Sequence, residues 1–216
     1  MLRRVQKTFL VILFITGWFA LAAQFYLIIE NRVASVAETV IRYFSFFTIL
    51  TNILVAVCCT FLLFKPTSGG GNFFLRATTL TAITMYITIV GIVYNTILRF
   101  LWKPEGLQLI VDELLHSVIP VLFIVTWFLF TRKAVLKWKD IFPWLVYPLI
   151  YIVYVLLRGA LSGFYPYPFI NVSEHGYNKV LINSVGLLFG FLFISLLFIG
   201  IGKLRSKSIY KIQKNR

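Results

Sequence analysis

Acidic side chains are scarce in this chain: seven Asp and Glu stand against 21 Lys and Arg in 216 residues. Charge of either sign is scarce as well, at 13% of residues, too little to clothe a soluble protein of this size. Only two cysteines occur, Cys58 and Cys59, side by side in an apolar run. Neighbours in sequence do not form an ordinary bridge to each other and match no metal-site spacing, so a disulfide framework and a cysteine metal centre are both excluded. Two histidines, His116 and His175, without a His-Glu-x-x-His pattern, are too few for a zinc set. Neither a Gly-rich phosphate loop nor a G-x-S-x-G elbow is present, and no cofactor or metal is expected.

What fills the chain instead is apolar: 60% hydrophobic residues, with 22 Phe, an excess that no single soluble core hides. Lipid is the solvent this composition demands. A helix needs about 20 apolar residues to cross the hydrocarbon of a bilayer, and six such runs occur: 8–29, 43–64, 77–98, 114–130, 141–157 and 180–201. The expected fold is therefore all-α, a polytopic bundle of six transmembrane helices forming one transmembrane domain over 1–216. Ala20-Leu21-Ala22 matches a signal-peptidase site, but the run continues through Phe25 to Ile29 and reads as a first span. Lys65-Pro66 and the turn Gly69-Gly70-Gly71 make a helical hairpin of runs two and three. An amphipathic connector, Trp102 to Val111, precedes run four, which Pro120 kinks. The segment Ser162 to Asn178 is too polar to span lipid, and run six carries Gly186 and Gly190 at a spacing that permits close helix approach.

A formal charge of +14 raises the question of nucleic acid, but the basic residues sit between apolar runs and form no face with interleaved aromatics. Membrane lipid, not nucleic acid, is the expected partner. Fifteen basic residues fall in the N-terminus, loops two and four and the tail 203–216, and six in the other three loops. By the positive-inside rule both termini are cytoplasmic, and the tail is a basic cytoplasmic segment suited to an anionic leaflet. Short basic loops and small size fit a multi-pass protein of a bacterial plasma (cytoplasmic) membrane. Oligomeric state is not legible in the residues.

Polar side chains in lipid are costly and usually face the bundle interior. Here they crowd towards one side. Thr48, Thr51 and Asn52 lie in the outer half of helix two, and His116 lies one turn below Asp112 in helix four. At about 1.5 Å per residue, Thr48 and His116 reach nearly the same depth. Helix three leaves past Tyr94, Asn95 and Arg99, helix five past Tyr154 and Arg158, and loop five adds Tyr165, Tyr167 and His175. A polar pocket opening outward follows. Within it His116 is suited to general-base work, Asp112 to orienting the ring, and Thr48 to serving as nucleophile. The plain alternative is a histidine bonded to a neighbouring helix and a threonine bonded to its own backbone. Asn52 and Asn95 either donate to a developing oxyanion or tie helices together.

Three segments carry a resemblance over nearly the whole chain: Tyr43-Phe44-Ser45-Phe46-Phe47-Thr48-Ile49-Leu50-Thr51-Asn52, Leu114-Leu115-His116 with Pro120 and Trp127, and Phe164-Tyr165-Pro166-Tyr167-Pro168-Phe169. In these the chain resembles the androgen-induced protein family, which includes the androgen-dependent regulator of tissue factor pathway inhibitor, and its bacterial Pr-six-Pr relatives. Characterised animal members are transmembrane threonine hydrolases of fatty acid esters of hydroxy fatty acids. The resemblance implies Thr48 as nucleophile, with Thr51 the alternative register, and His116 as base. The animal proteins space His and Pro one residue further apart and lack an acid at the place of Asp112; the bacterial group is the nearer match.

The expected function is an integral membrane lipid-ester hydrolase acting on a lipid-like substrate. Its catalytic pair is Thr48 and His116, with Asp112, Asn52, Asn95, Arg99, Arg158 and Tyr167 lining the pocket. The alternatives are a non-catalytic transporter or binding protein for a small lipophilic or anionic solute, with Arg99 and Arg158 holding the charge, or a membrane scaffold.

Overall fold

The computed structural model describes the backbone of residues 4–101 and 103–214 and the side chains of 4–101 and 103–204. Arg3, Trp102 and the tail side chains beyond Leu204, all part of the sequence reading, lie outside the described residues. The chain is all-α: no strand occurs among the described residues. Among the described residues six helical segments are long and apolar enough to cross a membrane, Arg4–Glu30, Phe47–Phe64, Ala77–Phe100, Gly106–Phe130, Trp138–Ser162 and Val172–Leu204. The protein is thus built as a multi-pass membrane protein. Its contacts divide it into two compact units, Met1–Arg132 and Lys133–Arg216.

In the first unit α1 (Arg4–Glu30) pairs antiparallel with α3 (Phe47–Phe64). Gly17 faces Ala56, and the indole Nε1 of Trp18 donates to Thr60 Oγ1 at 3.1 Å. The run expected to be one helix from Tyr43 to Phe64 is instead two. A short amphipathic helix, α2 (Val36–Tyr43), is capped by Ser35 and stops at Phe44-Ser45-Phe46. The reason lies in Ser45: its hydroxyl donates to Ile41 O (2.7 Å) while its N–H turns to Arg42 O (3.0 Å), tightening the last turn and breaking the helical ladder. Tyr43 then pins the end of α2 to α1 by donating its phenol to Leu21 O at 2.8 Å. Burial pushes the Tyr43 pKa up to about 12.

The triple glycine is likewise not an open turn. Ser68 accepts from Gly71 N at 3.0 Å and starts α4 (Gly69–Leu75). Gly71 is required there because a Cβ would run into the carbonyls of Lys65 and Pro66. Next, α5 (Ala77–Thr96) is Thr-rich, but Thr81, Thr84, Thr88 and Thr96 each return their hydroxyls to the carbonyl four residues back, so the run is compatible with lipid. A 3-10 turn, Leu98–Phe100, follows.

The fourth span begins earlier than expected. α6 (Gly106–Glu113) runs into a π-helical turn, Leu114–Val118, and then α7 (Ile119–Phe130), so Asp112 lies inside the span. α7 packs antiparallel on α5, where Trp127 Nε1 donates to Thr81 Oγ1 at 2.8 Å in the buried interface.

The second unit holds α8 (Ile141–Ser162), with Pro148 inside it, and α9 (Val172–Lys214), which Gly176 interrupts at φ 70°. Both exceed the expected runs 141–157 and 180–201, and the loop between them shrinks to 163–171. Gly163, at φ 70°, ends α8 in a left-handed cap. Gly159 admits the ring of Tyr165, which a Cβ would strike. Asn183 Nδ2 donates to Phe169 O at 2.8 Å and fixes the loop to α9. Gly186, expected to allow close helix approach, has open space where its Cβ would be.

Candidate functional site

The polar side chains of the first unit converge on the π turn. A π turn bonds each N–H five residues back, one more than an α-helix, and such turns often mark functional places. Here Ile119 N–H goes to Leu114 O, and Pro120 has no N–H at all. The carbonyls of Leu115 and His116 therefore lose their regular donors at i+4. Two neighbouring helices replace them. Asn52 of α3 sends Nδ2 to Leu115 O at 3.3 Å, and Asn95 of α5 sends Nδ2 to His116 O at 3.3 Å. Where a kink was expected at Pro120, the helix carries a π turn just before it, and the freed carbonyls are served from outside. Gly91 leaves room for the approach, since a Cβ there would sit 3.2 Å from His116 O and 3.3 Å from Pro120 Cβ.

The amide N–H groups of both asparagines are held by backbone carbonyls, which include those of Thr48 (2.9 Å) and Gly91 (2.9 Å). Asn52 and Asn95 tie helices together.

His116 is held on two sides. Its ring stacks on Tyr94 with centroids 4.0 Å apart and planes 12° apart, and Nδ1 lies 2.9 Å from Asp112 O. A carbonyl only accepts, so Nδ1 carries the proton and Nε2 carries the lone pair. Asp112 meets the ring through its backbone carbonyl and not, as expected, through its carboxylate, which is 4.0 Å from Nδ1. That carboxylate is buried and accepts instead from Tyr94 OH (3.1 Å) and Gln108 Nε2 (3.3 Å). Gln108 Nε2 also reaches Gln24 Oε1 of α1 at 2.9 Å. The network therefore links α1, α5 and α6. Arg99 closes its edge, paired with Glu113 and 5.7 Å from the Tyr94 ring.

Thr48 is buried on α3, four residues from Asn52 and so on the same face of the helix. Because one atom, Asn52 Nδ2, bonds both Thr48 O and Leu115 O, the turn bearing Thr48 lies against the turn bearing His116. Thr51, also buried, lies one position off that face. Among the described residues no hydrogen bond joins Thr48 to the His116 ring, whose Nε2 has no hydrogen-bond partner.

No protein family, curated protein or solved structure matches this chain.

Arg158 and Tyr167 belong to the second unit. Arg158 is buried, with Nη1 3.2 Å from Ser162 Oγ and 3.3 Å from Phe164 O and its guanidinium 4.8 Å from the Phe164 ring centroid, so its partners are polar and aromatic. Tyr167 stacks on Phe169 with centroids 5.3 Å apart. No cluster of three or more His, Cys, Asp or Glu side chains able to hold a metal occurs among the described residues. Sequence reading missed Gln24 and Gln108. The signal was present: Gln108 stands four residues before Asp112, and Gln24 is an amide near the end of a lipid-length run.

Proposed function

We propose that the protein is a lipid-ester hydrolase of the plasma membrane, with Thr48 as nucleophile and His116 as general base in the outer half of the first unit. The observation that carries this reading is the hydrogen bond from His116 Nδ1 to Asp112 O, which leaves Nε2 as the basic nitrogen. A neutral imidazole in this tautomer accepts a hydroxyl proton, and the Tyr94 stack keeps the ring from rotating away. The side chain is 12% exposed, enough to be reached. Thr48 enters from the motif resemblance and from its place beside the π turn.

In the proposed reaction the Thr48 Oγ–H proton passes to His116 Nε2 as Oγ attacks the ester carbonyl carbon. The carbon–oxygen bond to the leaving alcohol breaks, and the alcohol takes the proton from Nε2. Water then releases the acid. A long acyl chain needs no more than the lipid-facing apolar helices for its solvent.

The test is hydrolysis of a panel of long-chain esters by detergent-purified protein, comparing wild type with Thr48→Ala and His116→Ala after each is shown to be folded. General acid–base catalysis contributes about 10²–10⁴-fold, so each variant is expected to lose at least about a hundredfold. Hydrolysis untouched by both substitutions, or no hydrolysis of any ester, overturns the reading and favours a transporter or scaffold.

A further inference from the structure

One end of the α8–α9 pair gathers positive charge that its acids do not balance. The stretch 133–140 and Lys203 of α9 together hold four lysines and one acid, Asp140, whose carboxylate accepts the backbone N–H of Lys137 at 2.9 Å. Among the described residues no ion pair engages Lys137, Lys139 or Lys203. The packing that brings them together is close. A Cβ on Gly202 would lie 3.1 Å from both Cβ and O of Lys133 and 3.4 Å from Leu136 Cδ1, so glycine is what lets the loop rest on α9. Held there, the loop presents the Trp138 ring to Lys203, whose Nζ is 5.4 Å from the ring centroid. Lys137 and Lys139 flank Trp138, so their Cα atoms lie about 3.8 Å from its own. A phosphate beside Trp138 is therefore within reach of all three lysine side chains.

The place of this patch along the helices selects its partner. Trp138 opens the segment Trp138–Ser162 and Lys203 stands one residue from the end of Val172–Leu204, both long and apolar enough to span a bilayer, so the patch lies where a span meets the headgroups. Trp138 is 50% exposed, as a ring at headgroup depth is, and Phe142 and Leu204 beside it are exposed and apolar. We propose that Lys137, Lys139 and Lys203, gathered around Trp138, bind the headgroup of an anionic phospholipid. The phosphate oxygens accept from the ammonium groups, and the acyl chains run along Phe142 and Leu204. A zwitterionic headgroup brings its own cation against the lysines and binds less. This lipid is a lasting neighbour of the second unit and is independent of the hydrolase reading.

Native mass spectrometry of the detergent-purified protein, given equal amounts of phosphatidylglycerol and phosphatidylcholine, counts the lipids each chain retains. One lysine near an anionic surface is worth about fivefold in binding, so wild type is expected to favour phosphatidylglycerol by at least about tenfold. Lys137→Gln, Lys139→Gln and Lys203→Gln together are expected to bring the ratio close to one, and the matching triple replacement by Arg to keep it. Gly202→Val leaves every lysine in place but drives the loop off α9, and is expected to lower the ratio as well. Lys65→Gln with Arg76→Gln removes two cations from the first unit and is expected to leave it unchanged. Wild type without a preference overturns the proposal, and so does a ratio that Gly202→Val does not move. A fall just as large on replacing Lys65 and Arg76 also overturns it, because basic charge anywhere on the chain would then account for the preference. If the triple Gln variant does not fold, the three single replacements are read instead: a lower ratio in each supports the site, and no change in any overturns it.

Discussion

The substitution of Asn95 measures how the π turn is held. In wild type, His116 O has no regular i+4 donor because residue 120 is proline, and Asn95 Nδ2 supplies one at 3.3 Å. Asn95→Leu removes it. Leaving a buried acceptor unsatisfied costs about 1–3 kcal/mol in general, whereas bonds between membrane helices average about 0.6 kcal/mol with a ceiling near 1.7. The 3.3 Å length places this bond in the weaker part of the first range, so a loss of about 1 kcal/mol is expected. The second bond of the amide, to Gly91 O, adds little, since that carbonyl already accepts in its own helix. Pro120→Ala returns an N–H four residues beyond His116. In that background Asn95→Leu is expected to cost close to nothing, giving a coupling of about 0.5–1 kcal/mol between the two sites. The assay is reversible unfolding of the four proteins in mixed micelles with increasing denaturing detergent. Equal costs of Asn95→Leu with and without Pro120 would refute the account, because His116 O would then not depend on the asparagine.

Two further outcomes follow from other parts of the fold. The folded pKa of Tyr43, about 12, lies above its ordinary value of 10, so its contribution is fully present below pH 10 and is lost as pH rises towards 12. Stability is expected to fall over that window in wild type and less in Tyr43→Phe, followed by tyrosinate absorbance and thermal unfolding; identical pH profiles would count against it. Gly159→Ala drives a Cβ into the Tyr165 ring, an overpacking worth about 1–3 kcal/mol set against about 1 kcal/mol of helix propensity gained. The 163–171 loop is expected to be cut faster by added protease in that variant and to recover when Tyr165 is also made Ala; an unchanged cleavage rate would show that the contact is not needed.

By itself the sequence determined the fold class and the number of spans, because a lipid solvent forces long apolar helices and leaves few alternatives. It also put Thr48 and Asn52 on one face of a helix, since four residues make about one turn. Tertiary structure decided what those groups do. The break at Ser45 depends on a competition between two backbone patterns of similar energy, and composition does not settle it. The π turn arises from Pro120 together with donors on α3 and α5, residues far apart in sequence. That Asp112 holds His116 by its carbonyl while its carboxylate goes to Tyr94 and Gln108 is set by which side chains the packed helices bring within about 3 Å. Spacing along one helix places residues on a face, but a hydrogen bond needs a partner's position, and only the packed helices supply that.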